Sequence, residues 1–306
     1  MGKIVSLVHV QSEEEIKNSI IEALDLISFK VDKNINHVII KPNLCYYWNA
    51  STGYTTDPLV ITCIIDWVKD KCGNNTDIKI VETDATAMRT NLAFSILGYK
   101  KLATEKSVEL LNLSDFPNII KKVKVQNHEI EFKIPEPLQD VDLFINVPKL
   151  KLMRVTGITC GMKNLFGCIS SPRKIVYHSY INEAIVGINK ILNPDVTIVD
   201  GLVALGRHPI NLGLLMASTD VFSIDWIASK IMGYNPSNLE FLKIAEREKL
   251  GSRKGITTVG DNLDEFKRLF PKQGIISTEH LWSLQLGLLK FYSKIVNDII
   301  PPVVQE

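Results

Sequence analysis

Six cations and no carboxylate fall in the forty residues between Asp142 and Glu183: Lys149, Lys151, Arg154, Lys163, Arg173 and Lys174. An even spread of the chain's 34 acidic residues over 306 positions would place roughly four there. The same window holds Gly157, Gly161 and Gly167, with Asn164 between the last two. Ammonium heads without acids, beside glycines whose backbone N–H groups can turn toward a ligand, suit a small phosphate- or carboxylate-bearing molecule. A solvated basic loop is the competing reading. Lys163 can pair with such an anion or, if burial lowers its pKa, attack a carbonyl as a Schiff-base amine. The GxxxGxK spacing that ends at Lys163 has no Ser or Thr after it, so it is not a Walker phosphate loop.

Other residues add proton and metal chemistry. His178 and His208 lie in expected loops, where a near-neutral imidazole suits general acid–base work. Glu82, Asp84 and Asp200 follow strand-like runs and could hold Mg²⁺ or a ribose hydroxyl. Lys41 and Asn43 flank Pro42 at another strand exit, where proline is expected to end the ladder. Cys45, Cys160 and Cys168 could hold a soft metal or an iron–sulfur cluster if they meet, or pack as small hydrophobes if they do not. Asp220 reads more simply as a helix cap.

The elements that would position these groups alternate. Strands are expected at Lys3–Val10, His37–Ile40, Asp77–Val81, Val108–Leu113, Val141–Val147, Val196–Val199 and Leu214–Ala217. Between them, apolar residues recur at helical spacing in 13–27, 58–68, 91–97, 181–192 and 221–232. Ser12 and Glu15 suggest a capping box, and Asp57-Pro58 a capped helix start. Lys122–Ile134 reads as a hairpin turning at Asn127-His128, while 148–180 and 202–213 read as loops. The rest is expected to be mainly helical, with segments at 238–249, 263–270 and 280–299 and a short strand near Thr257. The pattern predicts an α/β fold with a mostly parallel, or mixed, sheet covered by helices on both faces, and a helical C-terminal portion. We divide it as an α/β ligand-binding domain over 1–250, with a hairpin inserted near 120–135, and an extension over 251–306. In such sheets ligands bind beyond the carboxyl ends of the strands, where Lys41, Asp84, Lys149, Lys151 and Asp200 are all expected.

A net charge of +1 gives no bulk attraction to nucleic acid or an anionic membrane. No run approaches eighteen apolar residues, so no membrane span is expected. Five cysteines, an odd number in a long chain, point to reduced thiols and the cytoplasm.

The segments VIIKPN (38–43), TTDP (55–58), the acidic exit with Glu82 and Asp84, DLFINVPKLK (142–151), GMKNLFG (161–167), His178, IVDG (198–201) and ASTDVFSIDWIASKIMG (217–233) occur in this order. Together they resemble domain of unknown function (DUF) family 362. That resemblance implies an α/β fold and, in some relatives, iron–sulfur clusters carried by an attached ferredoxin segment. No CxxCxxC run is present here. The family's strand usually continues as Lys-Thr-His, where this chain has Lys151-Leu152-Met153, and Arg207-His208-Pro209 departs from its usual Gly-Pro turn. A weaker architectural likeness reaches the nickel-pincer lactate racemase family, in which a lysine at the position of Lys163 holds a nucleotide-type cofactor.

The functional expectation is an enzyme for a small anionic molecule. Lys163, His178, His208 and Asp84 form its catalytic set, and Lys41, Asn43, Lys149, Lys151, Gly161, Asn164, Gly167 and Asp200 line its site. An iron–sulfur redox protein served by a ferredoxin, and a non-catalytic carrier of an anionic cofactor, are the alternatives. A homodimer is an open alternative to a monomer.

Overall fold

The computed structural model describes residues 3–31, 35–171 and 173–270. β1 (Lys3–His9) leads into α1 (Ile16–Leu26), which buries Ile16, Ile20, Ala23 and Leu24 on one stripe. The expected capping box forms differently. A 3-10 turn at Glu13–Glu15 delays the first α-turn, Ser12 makes no cap hydrogen bond, and Glu15 accepts from the Gln11 amide at 3.0 Å. β2 (His37–Pro42) precedes α2 (Pro58–Cys72), which starts where sequence places it: Asp57 accepts from the Leu59 amide at 2.8 Å. Then come β3 (Asp77–Glu82), α3 (Thr90–Ile96), α4 (Tyr99–Lys106) and β4 (Glu109–Asn112). The hairpin is β5 (Asn118–Val125) and β6 (His128–Pro135), a separate two-stranded sheet packed on a later helix.

The second half runs β7 (Leu143–Val147), β8 (Lys149–Met153), β9 (Gly157–Thr159), α5 (Gly161–Asn164) and α6 (Ile181–Ile191). β10 (Val196–Leu205), β11 (Pro209–Ser218), α7 (Val221–Ile231), α8 (Glu240–Arg247), β12 (Ile256–Gly260) and α9 (Leu263–Leu269) complete the described chain. The helix expected over 280–299 lies outside the described residues.

The main sheet has the order β12-β1-β11-β10-β7-β2-β3-β4, with β8 on β10 and β9 on β8. The run from β10 to β4 is parallel, while β11 is antiparallel to both neighbours, so the α/β fold has a mostly parallel but mixed sheet. Alternation along the strands feeds two apolar layers. Val38, Ile40 and Ile145 face α1 to α4, whereas Ile39 and Phe144 join the layer that holds α5 to α8 and the hairpin.

Three local expectations change. Pro42 does not end β2: Lys41 and Pro42 stay in register with Asn146 and Val147 of β7. The β3 ladder stops at Ile40, and an edge-like setting tolerates proline. The expected loop over 202–213 is instead the β10–β11 hairpin, turning at residues 206–208. The stretch after Val147 is also ordered, as the β8–β9 hairpin followed by α5. Lysines inside β8 disguised it as a loop; each is satisfied in the interior, as described next.

Candidate functional site

The cations at the strand exits divide into two kinds. Lys41 is fully buried and donates to Glu82 Oε2 at 2.7 Å and to the Pro42 carbonyl at 2.7 Å. The two Glu82 oxygens also accept from the Thr83 and Leu44 amides. Lys149, equally buried, donates to Asp200 Oδ2 at 2.8 Å, and Asp200 also accepts from the Asp57 and Leu202 amides. Sequence reasoning placed Lys41, Lys149 and Asp200 against a ligand. In the structure they neutralise buried partners and tie strand ends together. Gly167 belongs to the same packing, since a Cβ there would lie 2.8 Å from Lys41 Nζ and 2.9 Å from Glu82 Oε1.

Asn43 and Asn164 form the centre of an amide relay. Asn43 Nδ2 donates to Asn164 Oδ1 at 3.1 Å, and Asn164 Nδ2 donates to Asn146 Oδ1 at 2.8 Å and to the Lys41 carbonyl at 3.2 Å. Asn146 in turn donates to the Gly161 carbonyl. The relay fastens the short α5 onto the ends of β2 and β7, because buried amides must find partners. Gly161 permits the close approach of α7: a Cβ would meet Val221 Cγ2 at 2.7 Å and Asp225 Oδ1 at 3.1 Å.

The second kind of cation has no carboxylate. Lys151 is buried and donates to Asn43 Oδ1 at 2.6 Å and the Tyr54 carbonyl at 3.0 Å, with Cys45 beside it. Burial lowers its pKa, and the Lys149 charge lowers it further. Lys163 is half-buried and stands over the Phe166 ring at 5.5 Å from the centroid. It makes no hydrogen bond or ion pair with any described residue. Burial, then the Lys151 charge, with a smaller push from Lys174, brings its pKa down to about 8. Lys174 donates to Thr83 Oγ1, which itself donates to the Gly167 carbonyl. Burial outweighs the pull of Glu82 and brings Lys174 to about 8 as well. His178 completes the group: its Nδ1 is buried without a partner, and burial plus the Lys163 charge lowers its pKa. Lys163 thus feels the charges of both Lys151 and Lys174, with the unpartnered imidazole nitrogen of His178 alongside.

The other candidates lie elsewhere. Asp84 accepts from the Thr90 amide at 2.8 Å at the start of α3 and pairs with Arg89 at 3.4 Å, so its carboxylate is already engaged. His208 is exposed at the β10–β11 turn, where its ring makes no hydrogen bond or ion pair with described residues. Asp220 caps α7 by accepting from the Phe222 amide. Among the described residues no group of three His, Cys, Asp or Glu could hold a metal ion. Cys45 lies beside Lys151, Cys160 against Asp225 and Cys168 beside the Lys41–Glu82 pair, so the three thiols are not gathered. Lys174 was visible in sequence as part of the acid-free window, yet its place in the site was not; its tie to Thr83 spans 91 positions.

The thiols carry a simple prediction. Cys160 and Cys168 are fully buried, and burial pushes Cys168 up to about 12. Alkylation of the native protein should label half-buried Cys45 first and leave Cys63, Cys160 and Cys168 protected. Peptide mapping that finds Cys160 modified ahead of Cys45 contradicts this packing.

Against this geometry the comparisons are specific about family and silent on chemistry. The profile of the family described as domain of unknown function (DUF362) matches residues 38–230, more than half the chain, and the chain belongs to that family. Among curated proteins, the thylakoid-associated protein sll1697 of Synechocystis sp. is 33% identical over 132 residues, which cover 39% of this chain and 40% of that protein. Among solved structures, the lactate racemase apoprotein from Thermoanaerobacterium thermosaccharolyticum overlaps with a TM-score of 0.49 at 15% identity, covering 75% of this chain and 57% of that one. The matches thus span less than two thirds of either protein. Among the described residues no helix is long and apolar enough to cross a membrane.

Proposed function

We propose that the chain binds a small phosphate- or carboxylate-bearing organic molecule between Lys163 and Lys174, with Lys151 behind them, and acts on it as an enzyme. The observation that carries this reading is Lys163: a half-buried ammonium with no hydrogen-bond acceptor, repelled by two neighbouring lysines. Leaving cations desolvated and unpaired is costly, and an anionic ligand removes that cost. His178, with its buried free nitrogen, is the group placed to move a proton. The binding role belongs to the α/β part, residues 1–250, and the free thiols of all five cysteines favour the cytoplasm. The iron–sulfur alternative finds no support in the separated Cys45, Cys160 and Cys168.

Sulfate serves as the probe. At a hundredfold excess over its Kd it should stabilise the native protein by about 2.7 kcal/mol, seen as a rise in Tm. Lys163→Ala should abolish that rise while leaving the circular dichroism spectrum unchanged. A variant that responds to sulfate like the parent removes Lys163 from the site.

A further inference from the structure

We infer that Lys163 is a Schiff-base lysine, and that the site therefore takes anions that also carry a reactive carbonyl, such as 2-oxo acids or phosphorylated aldehydes. The inference rests on the anion site proposed above and deepens it. An ammonium that served only as a counter-charge would be expected beside a carboxylate, as Lys41 is beside Glu82 and Lys149 beside Asp200. Lys163 is treated in the opposite way. No carboxylate approaches it, no hydrogen bond occupies its nitrogen, and Lys151 and Lys174 oppose its charge. A partly buried lysine held beside other cations, its nitrogen unbonded, is an arrangement that frees an amine for attack on a carbonyl. The lowered pKa agrees with this, because an appreciable share of the amine is then neutral near physiological pH.

Lys174 and Lys151 are the cations left to hold the ligand's anionic group while Lys163 reacts. The neutral Nζ donates its lone pair to the carbonyl carbon, and the carbonyl π electrons move to oxygen, which takes a proton. The carbinolamine then loses its C–O bond as a second proton converts the hydroxyl to departing water. The nitrogen lone pair forms the C=N bond. Both protons come from the amine, so amine and carbonyl give imine and water with no oxidant or reductant. His178 is the base that accepts a proton from the nitrogen and returns it to the oxygen. Facing this amine are the titratable groups Lys151, Lys174, Cys45 and His178.

The test is borohydride trapping on the full chain, with glyoxylate as the carboxylate probe, pyridoxal phosphate as the phosphate probe and propanal as the neutral control. Reduction should fix a secondary amine on the peptide carrying Lys163, formed roughly tenfold or more faster than on the exposed lysines. Whichever anionic probe labels faster names the anion the site prefers. Lys163→Arg should lose the adduct yet keep the sulfate-induced rise in Tm, since the cation remains. A sulfate response without any adduct at Lys163 in the parent overturns the imine and leaves the anion site standing. Absence of both defeats the anion site itself. Propanal labelling Lys163 as fast as the anionic probes overturns the assigned ligand class.

Discussion

Lys41→Met should lower stability by about 3–5 kcal/mol, because it leaves the Glu82 carboxylate buried without its counter-charge. The lysine is fully enclosed, and Glu82 is only 3% exposed, so water cannot take over. The loss also spreads. Glu82 anchors the Thr83 and Leu44 amides, Thr83 is the partner of Lys174, and Gly167 rests directly on the pair. A double variant, Lys41→Met with Glu82→Leu, should recover much of the loss, since a buried pair replaced by apolar groups is often near neutral. Urea denaturation of the three proteins measures this. A single variant that loses less than about 1 kcal/mol would mean that the pair is solvated.

The second large effect is on pH dependence. Lys163 and Lys174 both have pKa values brought down to about 8. If sulfate needs both charges, the competent fraction is mostly present at pH 7 and small at pH 9. Apparent affinity scales with that fraction, so it should fall on the order of a hundredfold across this range. Sulfate keeps its own charge there, so the change reports the protein. The stability of the free protein should move the other way. Folded pKa values near 8 lie below the unfolded 10.5, so the unfolded chain binds more protons between them, and stability rises with pH through that window. Calorimetric titration with sulfate at pH 7 and 9 checks the first sign, and urea midpoints without sulfate check the second. Affinity that is flat with pH would mean that neither lysine touches the anion.

Much of the fold was readable because local chemistry specifies it. Asp57-Pro58 starts α2, Asp220 caps α7, and the apolar stripe of α1 is buried as spaced. Within the acid-free run between Asp142 and Glu183, the fold brings Lys151, Lys163, Lys174 and His178 into one neighbourhood. Sequence could not say which lysines are already neutralised. Glu82 lies 41 positions from Lys41, and Asp200 lies 51 from Lys149; only strand order and register bring them together. The same non-local pairing hid β8, since a lysine in a strand reads as exposed until its buried partners are known, Asp200 for Lys149 and Asn43 with the Tyr54 carbonyl for Lys151. The surroundings of Cys160 were hidden for a related reason: its neighbour Asp225 arrives on α7, distant in sequence.

The distinction between neutralised and waiting lysines is tested most directly by following lysine ¹³Cε resonances with pH, first alone and then with sulfate. Two resonances, assigned through Lys163→Arg and Lys174→Arg, should titrate near pH 8 in the free protein and move upward when sulfate binds. Resonances for both residues that titrate near the ordinary 10.5, unmoved by sulfate, would contradict an unneutralised lysine site over α5.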